Sequence, residues 1–220
     1  MLTNIMDAIE LYSKNTEAID THYDALKTAI EKSGVAPEGN CLYYHNSFNV
    51  FPHLINKRAN LLYLASKVPP YARVAEIGLN AGHSAVLLTL LRGDSDITFF
   101  DLCEHPYVRD CFAYLRAAFP NKMQLIEGDS RVTLPMFSSS RAGEYDLVHV
   151  DGGHQKEVFA NDLECALRML KVGGTMIADD TNIDYISELL DVKVRMGVLT
   201  EIKDLLYTTG YEHRTFTRVR

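Results

Sequence analysis

Five short apolar runs in this chain of 220 residues each end in carboxylates. The first ends in Glu76, the second in Asp101 and the third in Glu127-Gly128-Asp129. The fourth ends in Asp151-Gly152-Gly153-His154 and the fifth in Asp179-Asp180-Thr181-Asn182. Each acid directly follows residues that belong in a core, so solvation alone does not explain the placement. Around the first acid, residues 74–84 read V-A-E-I-G-L-N-A-G-H-S, the pattern of a buried strand, a glycine turn and a helix start. Gly78 and Gly82 let backbone come close to a ligand, and free N–H groups near Ser84, at the head of the next helix, suit an anionic group. Asp101 closes the next apolar run about 20 residues further on, where a carboxylate can accept both hydroxyls of a ribose. Asp129 and Ser130 either reach an adenine edge or cap the helix starting near Arg131.

The elements that position these groups alternate. Strands are expected over 73–77, 97–101, 123–127, 145–151 and 174–179, with helices over 82–91, 106–118, 131–138 and 156–170 between them. Such a rhythm implies a parallel sheet with right-handed crossovers and helices on both faces, which is why the strands are apolar runs rather than alternating ones. In open sheets of this kind ligands bind outside the carboxyl ends of the strands. Residues 184–196 read as helix, and 201–207 and 214–219 as two strands joined by a turn around Gly210, a hairpin that puts one antiparallel strand into the sheet. Before the sheet, 4–33 and 54–67 are helical by spacing, and Pro69-Pro70 ends the second stretch. The chain therefore divides into an N-terminal helical cap over 1–68 and a sheet domain over 69–220.

Bulk composition narrows the function. A net charge of −7 and a pI of about 5.6, with no basic block, argue against a protein that tracks nucleic-acid phosphates. Lys57-Arg58 and the final Arg214, Arg218 and Arg220 read as solvated charges. Cys41, Cys103, Cys111 and Cys165 show no metal-type spacing and read as free, mostly buried thiols of a reducing compartment. Neither a signal-peptide pattern nor a bilayer-length apolar run is seen, so a cytoplasmic location with no membrane partner is expected.

The glycine turn departs from the dinucleotide pattern G-x-G-x-x-G. Asn80 stands where the second glycine would be, which disfavours a bulky diphosphate and suits a small zwitterion such as the methionine end of S-adenosylmethionine. Together, V-A-E-I-G-L-N-A-G-H-S, the acidic end of the second strand, E-G-D-S, Y-D-L-V-H-V-D-G-G-H and L-K-V-G-G-T-M-I-A-D-D resemble a class I S-adenosylmethionine-dependent methyltransferase. The likeness is to the small-molecule O-methyltransferase branch with a D-G-x-H motif, and it covers roughly residues 60–220. It implies an α/β, Rossmann-like, seven-stranded sheet with the last strand antiparallel. It also implies cofactor roles for Glu76, Gly78, Asn80, Gly82, His83 and Ser84 around the methionine moiety, for Asp101 on the ribose, and for Asp129 and Ser130 near the adenine. Asp151 falls where the substrate pocket begins, beside the cofactor.

In that strand order Asp151, Asp179 and Asp180 come together on one rim, a set that suits a hard divalent ion, Mg²⁺ before Ca²⁺. The arrangement resembles catechol-type enzymes, with Asp180 where those carry Asn, and the Asp-Asp pair resembles sugar O-methyltransferases. A substrate hydroxyl would attack the sulfonium methyl in line. A metal would fix that oxygen and acidify it, and His154 is the best candidate for general base. The alternatives for His154 are to orient Asp151, to bond backbone or to ligate the metal. His149, inside a strand, reads as structural. Residues 43–49 form either a lid over the acceptor or an aromatic strap on the core. The expectation is metal-assisted methyl transfer to a small hydroxylated molecule, by a chain whose long N-terminal helices could serve a homodimer. Transfer without a metal is the alternative, and an NAD-type oxidoreductase the more distant one.

Overall fold

The computed structural model describes residues 2–208 and 212–220, and side chains from residue 6 onward. The turn expected around Gly210 lies outside the described residues. Two helices open the chain, α1 (Leu2–Lys14) and α2 (Thr16–Ser33), followed after a strap by a 3-10 turn at Pro52–Leu54 and α3 (Ile55–Lys67). Then come β1 (Arg73–Ile77), α4 (His83–Thr89), β2 (Asp96–Asp101), α5 (Val108–Ala118), β3 (Lys122–Glu127), α6 (Ser130–Ser140), β4 (Tyr145–Val150), α7 (Lys156–Met169) and β5 (Leu170–Ala178). The chain ends with α8 (Asp184–Arg195), β6 (Leu199–Glu201) and β7 (Arg214–Arg218).

The seven strands form one sheet in the order β3-β2-β1-β4-β5-β7-β6. Pairings among β1 to β5 are parallel, and β7 is antiparallel to both β5 and β6. The chain reverses its direction of winding at β1, which leaves β1 and β4 side by side. That switch point is where an open sheet has its crevice.

Alternation along each strand sends side chains to two cores. Val74, Ile97, Phe99, Leu147 and Ile177 join one hydrophobic cluster with residues from α1 to α5. Ala75, Ile77, Phe100, Val148, Val150, Met176 and Ala178 join another with α6, α7 and α8. The N-terminal helices thus share the first core with the sheet: Ile19, Tyr23, Leu26 and Ile30 of α2 recur at helical spacing and are buried there. Gly34 ends α2 in the left-handed conformation that a helix C-cap takes.

The strand expected over 201–207 is not formed. β6 is confined to Leu199–Glu201, and the backbone that follows is taken up by α3. Asn60 donates to the Leu206 carbonyl at 2.8 Å and accepts from the Leu206 N–H at 3.1 Å, and Asn56 donates to the Tyr207 carbonyl at 2.9 Å. Leu205 and Leu206 pack against the first core rather than in the sheet.

Candidate active site

The turn after β1 is pressed against the turn after β4. Gly78 has φ +94°, and a Cβ there would lie 2.1 Å from the Asp151 carbonyl oxygen, so no other residue fits. The Gly78 N–H donates to the Phe100 carbonyl and the Asp151 N–H to the Ile77 carbonyl, each at 2.8 Å, which stitches both turns to their neighbouring strands. Asp101, at the end of β2, accepts the Asn80 N–H on Oδ2 at 2.8 Å and the Cys103 N–H on Oδ1 at 2.7 Å. A carboxylate has about four acceptor positions, so this pair of donors fixes Asp101 and leaves capacity for a ligand.

Asn80 has a second task. Its side-chain amide donates to the Gly39 carbonyl at 3.2 Å and accepts from the Tyr107 hydroxyl at 3.0 Å, while the Glu38 N–H donates to the same hydroxyl at 3.1 Å. The residue that breaks the glycine pattern is therefore the clasp that holds the strap between α2 and α3 over the turn. Asn80 itself sits at φ +50°, a conformation Asn tolerates better than most residues.

These groups open onto one cavity of about 950 Å³. Its walls include Gly78, Asn80, Gly82, His83, Ser84, Asp101, Asp129, Ser130, Asp151, His154 and Asp180 from the sequence-derived set, and Tyr43, Tyr44 and His45 from the strap. Glu76 does not reach it. That residue is fully buried under the sheet, where His149 Nδ1 donates to Glu76 Oε1 at 2.9 Å. Asp179 lies beyond the wall as well, its side chain entirely buried. Asp129 caps α6 by accepting the Arg131 N–H at 2.8 Å and pairs with the Arg131 guanidinium at 2.6 Å. His83, at the head of α4, is buried between the rings of Tyr23 and Tyr43 at 5.1 Å each, with neither nitrogen hydrogen-bonded among the described residues. Burial brings its pKa down to about 3, so it is neutral.

The acidic rim resolves into two groups. On the cavity side, His154 Nε2 meets Asp180 Oδ2 at 2.7 Å, and this hydrogen bond, working against burial, lifts the imidazole to about 9. Behind it, Asp179 pairs with the ammonium of Lys57 from α3, and Asp179 Oδ2 faces His149 Nε2 at 3.7 Å. Burial would raise the Asp179 carboxyl, but Lys57 and His149 hold it well below the usual range. Burial pulls His149 down, and Asp179 and Glu76 outweigh it, leaving the imidazole at about 10. Burial, then the charge of Asp179, pushes Asp151 well above the ordinary carboxylate range.

His149, Asp151 and Asp179 each offer a ligand atom within 4.8 Å of the others. A divalent ion does not fit them as they stand, because Asp179 Oδ2 is the atom Lys57 holds. Asp180, expected in the same set, is engaged by His154 instead.

Sequence reasoning missed Lys57, Arg58 and Asp162. Lys57 and Arg58 are 4% and 5% exposed, against the reading of solvated charges. The available signal was their position at the start of a helix whose other residues are largely apolar. Asp162, on α7, is buried at the cavity wall with Oδ2 lacking a hydrogen-bond partner among the described residues, although Asn161 donates to Oδ1 at 3.0 Å.

Residues 75–181 match a family model described as a methyltransferase domain. No curated protein matches the chain. Among solved structures, the O-methyltransferase from Bacillus cereus in complex with SAH superposes with a TM-score of 0.66 at 14% identity, over 96% of this chain and 100% of that one. Cofactor-bound Rv0187 from MTB gives 0.65 at 18% identity, over 91% and 90%. The O-methyltransferase TomG from Streptomyces achromogenes, involved in tomaymycin synthesis and in complex with SAM, gives 0.59 at 19% identity, over 72% and 77%. The chain thus carries a methyltransferase domain over residues 75–181, set in the Rossmann-like sheet that these solved structures share.

Proposed function

We propose that the protein transfers a methyl group from S-adenosylmethionine to a hydroxyl of a small molecule. The observation that carries this reading is the single cavity of about 950 Å³ joining the Gly78–Ser84 turn and Asp101 to the His154–Asp180 pair. Pockets for drug-sized ligands span roughly 300–1,000 Å³, so this one has room for a cofactor and a modest acceptor together. The residues fit the cofactor. Asp101 has acceptor capacity for the ribose, the head of α4 at Ser84 suits a carboxylate, and the orphaned Asp162 Oδ2 is an acceptor for the adenine amino group.

S-adenosylmethionine, when bound, supplies an electrophilic methyl carbon. The acceptor oxygen forms its bond to that carbon as the carbon–sulfur bond breaks, giving a methyl ether and S-adenosylhomocysteine. The hydroxyl proton passes to His154. Asp180 binds Nε2, which sets the tautomer and leaves Nδ1 as the base. Tyr43 and Tyr44 of the strap give the acceptor an aromatic wall.

A second reading, divalent-ion assistance, requires Lys57 to leave Asp179 so that the grouped His149, Asp151 and Asp179 can hold the ion. Release of S-adenosylhomocysteine from a panel of hydroxylated metabolites, in excess chelator and in excess Mg²⁺, tests both. Full turnover in chelator is expected. Turnover only with Mg²⁺ would move the conclusion to the second reading, and no turnover on any hydroxylated compound would overturn both.

A further inference from the structure

Lys57 sits in the first turn of α3, 4% exposed, with its ammonium paired to Asp179, whose side chain is fully buried. Asp151 and Asp180 are its next acidic neighbours, and His149 Nε2 faces the same Asp179 oxygen at 3.7 Å. Lysine is almost never fully buried unless paired, and clustered buried carboxylates repel one another without a cation. The burial of Lys57 and the clustering of the acids therefore explain each other.

The helix is held so that the ammonium cannot easily leave. The Arg58 guanidinium donates to the Tyr12 hydroxyl and the Cys41 carbonyl, each at 2.9 Å, and Asn60 ties α3 to Leu206 in both directions. His149, Asp151 and Asp179 present ligand atoms within 4.8 Å, a spacing that would hold an ion if the ammonium were gone.

We propose that Lys57 is a built-in cation that takes the place of a divalent ion at the Asp151–Asp179 wall and keeps such ions out. It is a positioning residue, fixing Asp179 behind the cavity wall. The consequence, methyl transfer independent of metal, rests on the function proposed above. The exclusion of ions does not.

Calorimetric titration of the full chain with Ca²⁺, without cofactor or acceptor, tests the exclusion. The wild type is expected to take up no ion saturably. Lys57→Ala is expected to bind one equivalent with a Kd on the order of 10⁻⁴–10⁻³ M, the range of weak oxygen-ligand sites, and Lys57→Ala with Asp179→Asn to bind none. Cooperative melting shows whether Lys57→Ala is folded, and Lys57→Gln is read the same way if it is not. A folded Lys57 variant that takes up no ion overturns the proposal. So does a wild type that binds one equivalent and loses it in Asp179→Asn, whether or not the Lys57 variants fold. Should methyl transfer fail on every acceptor while the titrations come out as expected, the functional reading falls and the built-in cation stands.

Discussion

Gly78 and His154 both line the cavity, and each makes a separate demand on it. A side chain at position 78 must meet the Asp151 carbonyl at 2.1 Å and adopt φ +94°. Gly78→Ala is expected to cost about 3 kcal/mol or more in urea unfolding, and to abolish S-adenosylhomocysteine binding where the variant remains folded. The proposed base role of His154 requires the unprotonated imidazole, and Asp180 holds its proton on up to about pH 9. The rate should therefore climb as pH rises from 7 and level off above about 9. His154→Gln should lower turnover roughly 10²–10⁴-fold, the usual contribution of a general base, and flatten the profile. A wild-type profile without this limb would remove His154 from the role. Asn80 shows where residue-level reading stopped short. Its departure from the glycine pattern was legible, but its bonds to Gly39 and Tyr107 depend on the strap lying alongside, which local sequence does not reveal.

The strands and helices of the sheet were readable because each apolar run is punctuated by glycine, proline or acid, and β1 begins and ends where its sequence says. α3 was readable as a helix but not as a buried one. Its Lys57, Arg58 and Asn60 look like a polar face, and their partners come from Tyr12, Cys41, Asp179 and Leu206, far away in the chain. The same tether explains why residues after β6 leave the sheet: Asn56 and Asn60 outcompete a ladder partner for their backbone. Arg58→Ala would leave the Tyr12 hydroxyl and the Cys41 carbonyl unpaired beside a cavity, and about 3 kcal/mol of lost stability is expected. Denaturant titration checks this. Asn80→Gly keeps the backbone conformation but releases the strap. It should weaken S-adenosylhomocysteine binding about fivefold, the equivalent of one net hydrogen bond of about 1 kcal/mol, with little change in melting temperature. An unchanged affinity would show that the strap does not help to close the cofactor site.

Taken as a single molecule, the chain has one core on each face of its sheet and a cavity at the switch point between β1 and β4. All four cysteines are buried and unpaired, as their spacing indicated, and no helix among the described residues is long and apolar enough to cross a membrane. Acid should loosen this fold through His83. Burial holds its pKa at about 3, whereas the unfolded side chain titrates near 6.5. Between those values the unfolded state binds the extra proton, so the stability carried by His83 is intact above about pH 6.5 and falls as pH drops toward 3. Melting temperature followed from pH 7 to pH 4 should decline more steeply for the wild type than for His83→Gln, and equal slopes would refute the assignment. The central claim is that Asp101 and the Gly78–Ser84 turn form the seat of a methyl donor. Calorimetric titration with S-adenosylhomocysteine and with NAD addresses it most directly. One equivalent of S-adenosylhomocysteine should bind, Asp101→Asn should weaken it by about tenfold or more, the share of a charge-assisted hydrogen bond, and NAD should not compete. Binding of NAD in preference to S-adenosylhomocysteine, or an affinity indifferent to Asp101→Asn, would contradict the account.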